Sequence, residues 1–399
     1  MKKFLIIALA LVFSANAGLC SSPLRVAFVG DPQVDSEKEL WYAQKSIYRE
    51  LRERGDLDLV VFLGDLVNDK VELLEPTRRS LDSLGVPYVC APGNHDKDVY
   101  KNADDKMCAK RDTRSFGRII HAPDTSFVAG GVRFIVMDDV WINSGYAGYA
   151  GGLVESQKEW LAGVVAKTKE PVVFCTHIPV WELRAEARDS LSAILSPAPD
   201  LMFVCGHTHT VVRTTFEREG RSFHVLDAGA TCGSWWRGPK GENGVPQSIM
   251  NCGAPQGYFV GEFSDKGCRL SFKAVGRESS DQMAAYADSL GTLTVNVFGG
   301  AMEGKLQLRR GLRWVDVPRA DVPAPEILAI KKFNKGISRE YRREHKDEII
   351  PALGHASSHI WVLPESGVKP GRKLTLRYSD PLMSFKTRTT AKAEYKSNN

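Results

Sequence analysis

Six short apolar runs dominate the first half of the chain: 24–29 (LRVAFV), 57–63 (LDLVVFL), 86–91 (VPYVCA), 132–137 (VRFIVM), 172–175 (VVFC) and 201–205 (LMFVC). Runs this short, with little polar alternation, fit strands covered on both faces, as parallel sheets are. Between the first two, Leu40, Ala43, Ile47 and Leu51 recur at helical spacing. Further helices are predicted over 155–167 and 181–195. Strands alternating with helices predict an α/β layered fold.

The pattern changes after about residue 276. Residues 276–291 are polar and read as helical or linking. Then come LTVNVFGG, KLQLRRG, LRWVDV, SSHIWVL and KLTLRYSD, short alternating stretches divided by Gly and Pro turns. They predict a second, smaller all-β domain of sandwich type. The charged insertion 337–350 (ISREYRREHKDEII) predicts a solvated helix. The expected division is therefore 18–275 for an α/β domain and 276–399 for the β domain.

The chain begins MKKFLIIALALVFSANA. Lys2 and Lys3, the apolar run 4–13 and the small-x-small Ala15-Asn16-Ala17 read as a removable export signal over 1–17. The expected location is periplasmic or secreted. Cys20 offers a lipid anchor as the lesser alternative, because Leu19 before it is larger than such sites take. No internal stretch approaches the roughly 18 apolar residues of a membrane span. With 53 basic against 48 acidic residues the net charge of +5 is mild. No basic stripe with interleaved aromatics appears, so no nucleic-acid partner is expected.

Eight cysteines are too sparse for a disulfide scaffold in 399 residues. Cys90, Cys175 and Cys205 fall inside apolar runs and read as buried thiols. Cys232 and Cys252 flank one Gly- and Trp-rich loop and form the expected disulfide. There is no CxxC pair, so no structural zinc site is expected.

Polar residues collect just after the apolar runs: Gly30-Asp31-Pro32-Gln33, Gly64-Asp65, Gly93-Asn94-His95-Asp96, Thr176-His177 and Gly206-His207-Thr208-His209. Taken singly, each has an ordinary reading as a turn, a helix cap or one face of a strand. Together they place carboxylates, amides and imidazoles at the carboxyl ends of five strands, where open α/β sheets bind ligands. That donor inventory suits two adjacent cations, with one Asp shared between them. The glycines are expected to let the backbone turn sharply so that the side chains converge.

The series Asp31-x-Gln33, Gly64-Asp65, Gly93-Asn94-His95-Asp96, His177 and Gly206-His207-x-His209 resembles the calcineurin-like metallophosphoesterase superfamily, over roughly residues 24–275. With the loop 229–258 and the β-rich tail, the chain is similar to a bacterial exported subgroup carrying its own C-terminal sandwich. The resemblance implies a layered β-sandwich core flanked by helices. It implies that Asp31, Gln33 and His209 hold one metal, that Asn94, His177 and His207 hold the other, and that Asp65 bridges them. The metals would be two divalent or trivalent ions (Mn, Fe or Zn), binding a phosphate-ester substrate and generating hydroxide for in-line attack at phosphorus. His95 would face the phosphoryl oxygen or the leaving group. Gln33 departs from the His that many members carry, and Asn68 followed by Asp69 departs from an Asp three residues after the bridge. Asp69 and Asp96 are both candidates to orient His95.

Trp235, Trp236 and Arg237 are candidate substrate-binding residues: an aromatic wall and a cation for phosphate. In extended backbone only one of two adjacent tryptophans would line the site. The reading from a different class is a non-catalytic, metal-containing cell-surface binding protein. A full ligand set together with His95 favours the enzyme.

Overall fold

The computed structural model describes residues 22–98, 112–142, 148–218, 221–351, 354 and 356–393. The expected signal at 1–17 and Cys20 lie outside the described residues. The first half runs β1 (Leu24–Val29), α1 (Glu37–Lys45), α2 (Ile47–Glu53), β2 (Leu59–Phe62), α3 (Leu74–Asp82), β3 (Tyr88–Cys90), α4 (Arg114–Ile119), β4 (Thr125–Ala129) and β5 (Val132–Val136). A hairpin of β6 (Val140–Ile142) and β7 (Tyr149–Gly151) follows, then α5 (Glu155–Val165), β8 (Val172–Cys175), α6 (Ala185–Leu195) and β9 (Met202–Cys205). Four long strands close this half: β10 (Val211–Arg218), β11 (Arg221–Ala228), β12 (Gly257–Ser264) and β13 (Gly267–Ala274).

Two sheets result, in the orders β13-β12-β1-β2-β3 and β10-β11-β9-β8-β5-β4. The central strands of each run parallel, as continuous apolar runs require. Alternation along each strand sets the layers. Val26 and Phe28 face Phe134, Val136 and Val173 between the sheets, whereas Ala27 and Val29 face Leu40, Ala43 and Ile47 of the helices. Ile135 and Phe174 turn outward to Leu161 of α5 and Leu191 of α6. The order of layers is helix, sheet, sheet, helix. Each fully buried Leu, Val or Phe side chain contributes on the order of 1.5–3 kcal/mol.

The single helical face predicted around residues 40–51 is broken at Ser46, whose hydroxyl turns back onto the Tyr42 carbonyl at 2.6 Å. α1 itself starts at Ser36, which accepts from the Glu39 amide, with Glu37 and Glu39 in the first turn. The helix predicted from residue 181 begins at Ala185. The preceding residues form a turn, with the Glu182 amide on the Pro179 carbonyl, and this leaves Glu182 beside the strand ends.

The second half forms β14 (Met283–Ala287), β15 (Leu293–Val297), β16 (Lys305–Arg310), β17 (Arg313–Val317), β18 (Arg319–Val322), α7 (Pro325–Gly336), α8 (Arg339–Glu344), β19 (Ser357–Leu363), β20 (Lys373–Ser379), β21 (Ser384–Thr390) and β22 (Lys392–Ala393). Its sheets are ordered β18-β19-β15-β14-β22 and β17-β16-β20-β21. β14 corrects the helical or linking reading of 276–291: Met283, Ala284 and Ala285 are buried and the strand pairs with both β15 and β22. The charged insertion is helical only over α8, started by Ser338 accepting from Tyr341, and ends in a single 3-10 turn at Lys346–Glu348.

The two halves share one apolar core, in which Phe259 and Phe272 join Val297, Phe298 and Met383. Across the same junction Arg213 of β10 makes a buried, two-pronged ion pair with Asp380, at 2.8 and 2.9 Å.

Candidate metal centre

The polar residues meet at the carboxyl ends of β1, β2, β3, β8 and β9. The loops there hold an unusual backbone. Asp31 (φ 43°), Gln33 (φ 41°), Asp65 (φ 49°), Asp69 (φ 61°), His207 (φ 80°) and His209 (φ 54°) all adopt left-handed conformations. Such residues cost about 1–3 kcal/mol each and persist where the surroundings over-determine them. The expectation that glycines make the sharp turns is corrected in part. Gly64 does turn at φ 94°, but at Gly93 the need is space: a Cβ there would lie 2.1 Å from Asp65 Oδ1.

Asp65 is buried at the centre. Its Oδ1 accepts the His95 amide at 2.9 Å, and its Oδ2 lies 3.4 Å from both His177 Nε2 and Gln33 Nε2. His177 Nε2 is also 3.0 Å from Asn94 Oδ1 and 3.1 Å from His207 Nδ1. Asp31 receives the His207 amide on both oxygens, at 3.0 and 3.2 Å, and lies 3.8 Å from His209 Nε2. All seven expected ligand residues therefore converge.

The chemistry of this donor set fits a cation. A carbonyl only accepts, so His177 Nδ1 donates to Leu63 O at 2.8 Å, and His209 Nδ1 donates to Gly233 O at 2.8 Å. That fixes both tautomers and turns each Nε2 lone pair inward, the arrangement of metal-binding histidines. The lone pair of His177 then faces an amide oxygen, a carboxylate and a second imidazole. Ligand atoms of Asp65, His177 and His207 lie within 4.8 Å of one another. With protein groups alone the charges conflict. Burial, with Asp65 adding to it, pushes Asp31 up to about 8 against the pull of His177. Burial opposes charge on both members of the next pair, yet Asp65 is held well below the usual carboxylate range by His177, and Asp65 lifts His177 to about 10. Burial pushes His209 down to about 4. A cation among them satisfies both carboxylates and the inward lone pairs at once.

Gln33 needs one adjustment. Its NH₂ faces Asp65 Oδ2 and Asn68 Oδ1, both at 3.4 Å, while Oε1 faces the Cys232 sulfur at 3.9 Å. A half-turn of the amide presents the oxygen to the cluster.

His95 is part-exposed, and its Nδ1 contacts Asp69 Oδ1 at 2.8 Å. Asp96 does not touch it. Its two oxygens accept the buried amides of Val67 at 3.0 Å and Gly93 at 2.9 Å. The choice left open by the sequence goes to Asp69, and the catalytic assignment of Asp96 is corrected to a brace beneath the loop.

Trp236 is also corrected. It is buried against Tyr42 and its indole donates to the Pro32 carbonyl at 2.6 Å, so it anchors the loop that carries Asp31 and Gln33. Trp235 is half-buried, with its ring 5.7 Å from that of His209. The Arg237 charge acts on Glu39 and Asp347. The expected Cys232–Cys252 disulfide is absent, and both are buried free thiols. Cys232 packs in the helix-side core beside Gln33 and His209, whereas Cys252 packs between the sheets and accepts the Val211 amide at 3.3 Å. The two face different layers.

Three residues at the site were missed. Asp139 accepts the His177 and Ile178 amides at 3.1 and 3.2 Å, which aims the His177 loop. Tyr149 OH lies 3.0 Å and Glu182 Oε2 3.4 Å from His207 Nε2, on the side away from His177. Asp139 follows the fourth apolar run and carried the same strand-end signal as the others. Tyr149 opens the short strand β7 and Glu182 sits in a turn, neither with such a mark.

Calcineurin-like phosphoesterase matches residues 24–211, and the C terminal of calcineurin-like phosphoesterase matches residues 226–376. No curated protein matches the chain. Among solved structures, a dimetal phosphatase from Danio rerio, LOC 393393, is 15% identical, with a TM-score of 0.44 over 65% of this chain and 98% of its own. The protein TT1561 of Thermus thermophilus is 12% identical, with a TM-score of 0.34 over 52% of this chain and 90% of its own. Two adjoining family matches that together span most of the chain, one of them carrying all seven expected ligand residues, place it in the calcineurin-like phosphoesterase family, as a metal-dependent hydrolase of phosphoric esters.

Proposed function

We propose that the chain is an exported phosphoesterase that works with two cations, Mn, Fe or Zn, on a phosphodiester or phosphomonoester. The observation that carries the reading is the convergence of Asp65, His177 and His207 donor atoms within 4.8 Å, with lone pairs turned inward. Asp31, Gln33 and His209 are assigned to one cation, and Asn94, His177 and His207 to the other, with Asp65 between them. When bound, such a pair supplies positive charge to the phosphoryl oxygens and acidifies the attacking water.

The chain's own residues set the geometry. Asp139 fixes the His177 loop and Asp96 fixes the Asn94 loop. Asp69 holds Nδ1–H of His95, so that in the charged imidazole Nε2–H is left for the departing oxygen. Trp235, beside His209, supplies an aromatic rim for the ester group. Export rests on the composition of residues 1–17.

The test is metal analysis of protein purified without chelator, together with turnover of p-nitrophenyl phosphate and bis(p-nitrophenyl) phosphate. The reading expects cation-dependent hydrolysis of at least one. Bound metal with turnover of neither would favour the binding-protein alternative. Recovery outside the cytosol with a new N-terminus at Gly18 would support export, and an intact Met1 would count against it.

A further inference from the structure

The far end of the C-terminal sheets carries a feature that the hydrolytic site does not use. Leu290, on the β14–β15 turn, is 84% exposed, and Leu312, at the tip of the β16–β17 hairpin, is 93% exposed. A single exposed leucine needs no explanation. These two, however, stand on loops that are tied together. The Arg310 guanidinium donates to the Ser366 carbonyl, and the Ser366 hydroxyl donates to the Gly291 carbonyl at 2.6 Å. The loop from Ser366 to β20 is tied to the same end, with the Gly371 amide on the Ala391 carbonyl at 2.7 Å.

This end is basic. Arg310, Arg313, Lys369 and Arg372 are all exposed around the two leucines. Among the described residues the acids there are Asp288 and Glu365, and Asp288 already accepts the Thr292 amide at 2.7 Å. Leucine tips standing out of a ring of Arg and Lys suit a lipid interface: the apolar tips enter the acyl boundary, while the long basic side chains keep their charges among anionic headgroups.

We propose that this end of the C-terminal sheets is a peripheral docking surface for an anionic lipid bilayer. It does not depend on the hydrolytic reading. A nucleic acid would be served by the cations but not by bare leucines, which offer no face for stacking.

The test is co-sedimentation of the full chain with vesicles of phosphatidylcholine, with and without phosphatidylglycerol. Wild type is expected to pellet with the anionic vesicles only, and to be released as salt rises. Arg313→Glu with Lys369→Glu and Arg372→Glu should weaken binding by roughly a hundredfold or more, at about 1 kcal/mol for each basic charge removed. Leu290→Ser with Leu312→Ser should weaken it by roughly a hundredfold or more. Both variants lie outside the metal centre and should keep any aryl-ester turnover and the wild-type melting temperature. The proposal falls if wild type stays in solution with anionic vesicles, or if it binds neutral vesicles equally well. It also falls if the serine variant converts a dimer into a monomer, which would make a second copy the occupant, or if an oligonucleotide binds in preference to the vesicles.

Discussion

His95 and its neighbours show how much a single contact decides. Asp69 holds the ring and Asp96 holds the backbone beneath it, so the two acids should fail differently. His95→Gln should keep its metal and slow alkyl phosphate esters by about 10²–10⁴-fold, with a smaller loss on aryl esters whose leaving group needs no proton. Equal losses on both would assign His95 to charge stabilisation alone. Asp96→Ala should instead lower stability by about 1–3 kcal/mol for each buried amide left unpaired, read by urea unfolding. The convergence of these side chains was legible because buried-strand ends rarely carry Asp, Asn and His together. Glu182 and Tyr149 were not, because a lone acid in a turn or a phenol at the start of a short strand looks the same whether it meets solvent or an imidazole. The disulfide was misjudged for a related reason: closeness to one loop says nothing of which side of a sheet a thiol faces.

Loops and strands carry the next set of consequences. Gly93→Ala would drive a methyl into Asp65 Oδ1, so it should cost metal occupancy while leaving the sheet core folded. Near-ultraviolet circular dichroism beside metal analysis separates the two effects. In the C-terminal half, His359 of β19 is fully buried, with Nδ1 on Asn296 Oδ1 at 2.9 Å and, among the described residues, no partner for Nε2. Burial pushes its pKa down to about 4. The unfolded chain therefore binds the proton more readily, and stability falls as pH drops from about 6.5 towards 4, by up to about 3 kcal/mol. His359→Gln should show a shallower loss of melting temperature across that window, and an identical slope would contradict the burial argument. In the first half, β1, β2, β3, β5, β8 and β9 were readable from apolar runs alone, whereas β4, β6, β7 and β10 to β13 were not. β14 was not, because its alanines carry little hydrophobic signal and only the pairing partners on both sides make it a strand.

At the scale of the whole molecule, the continuous core and the Arg213–Asp380 pair join what the sequence divides into two domains. Asp380→Ala should cost about 3–5 kcal/mol by leaving Arg213 buried and unpaired, and a chain ended at residue 275 should aggregate rather than fold. The change of pattern near residue 276 was legible, but the shared core was not, since contacts between distant apolar residues leave no local trace. The central claim is that Asp65 joins two cations into one hydrolytic centre. Metal content of wild type and Asp65→Asn, purified identically without chelator, tests it most directly. The prediction is close to two cations per wild-type chain, in keeping with paired-ion sites, and loss of both in the variant together with ester hydrolysis. Undiminished metal content and turnover in Asp65→Asn would contradict it.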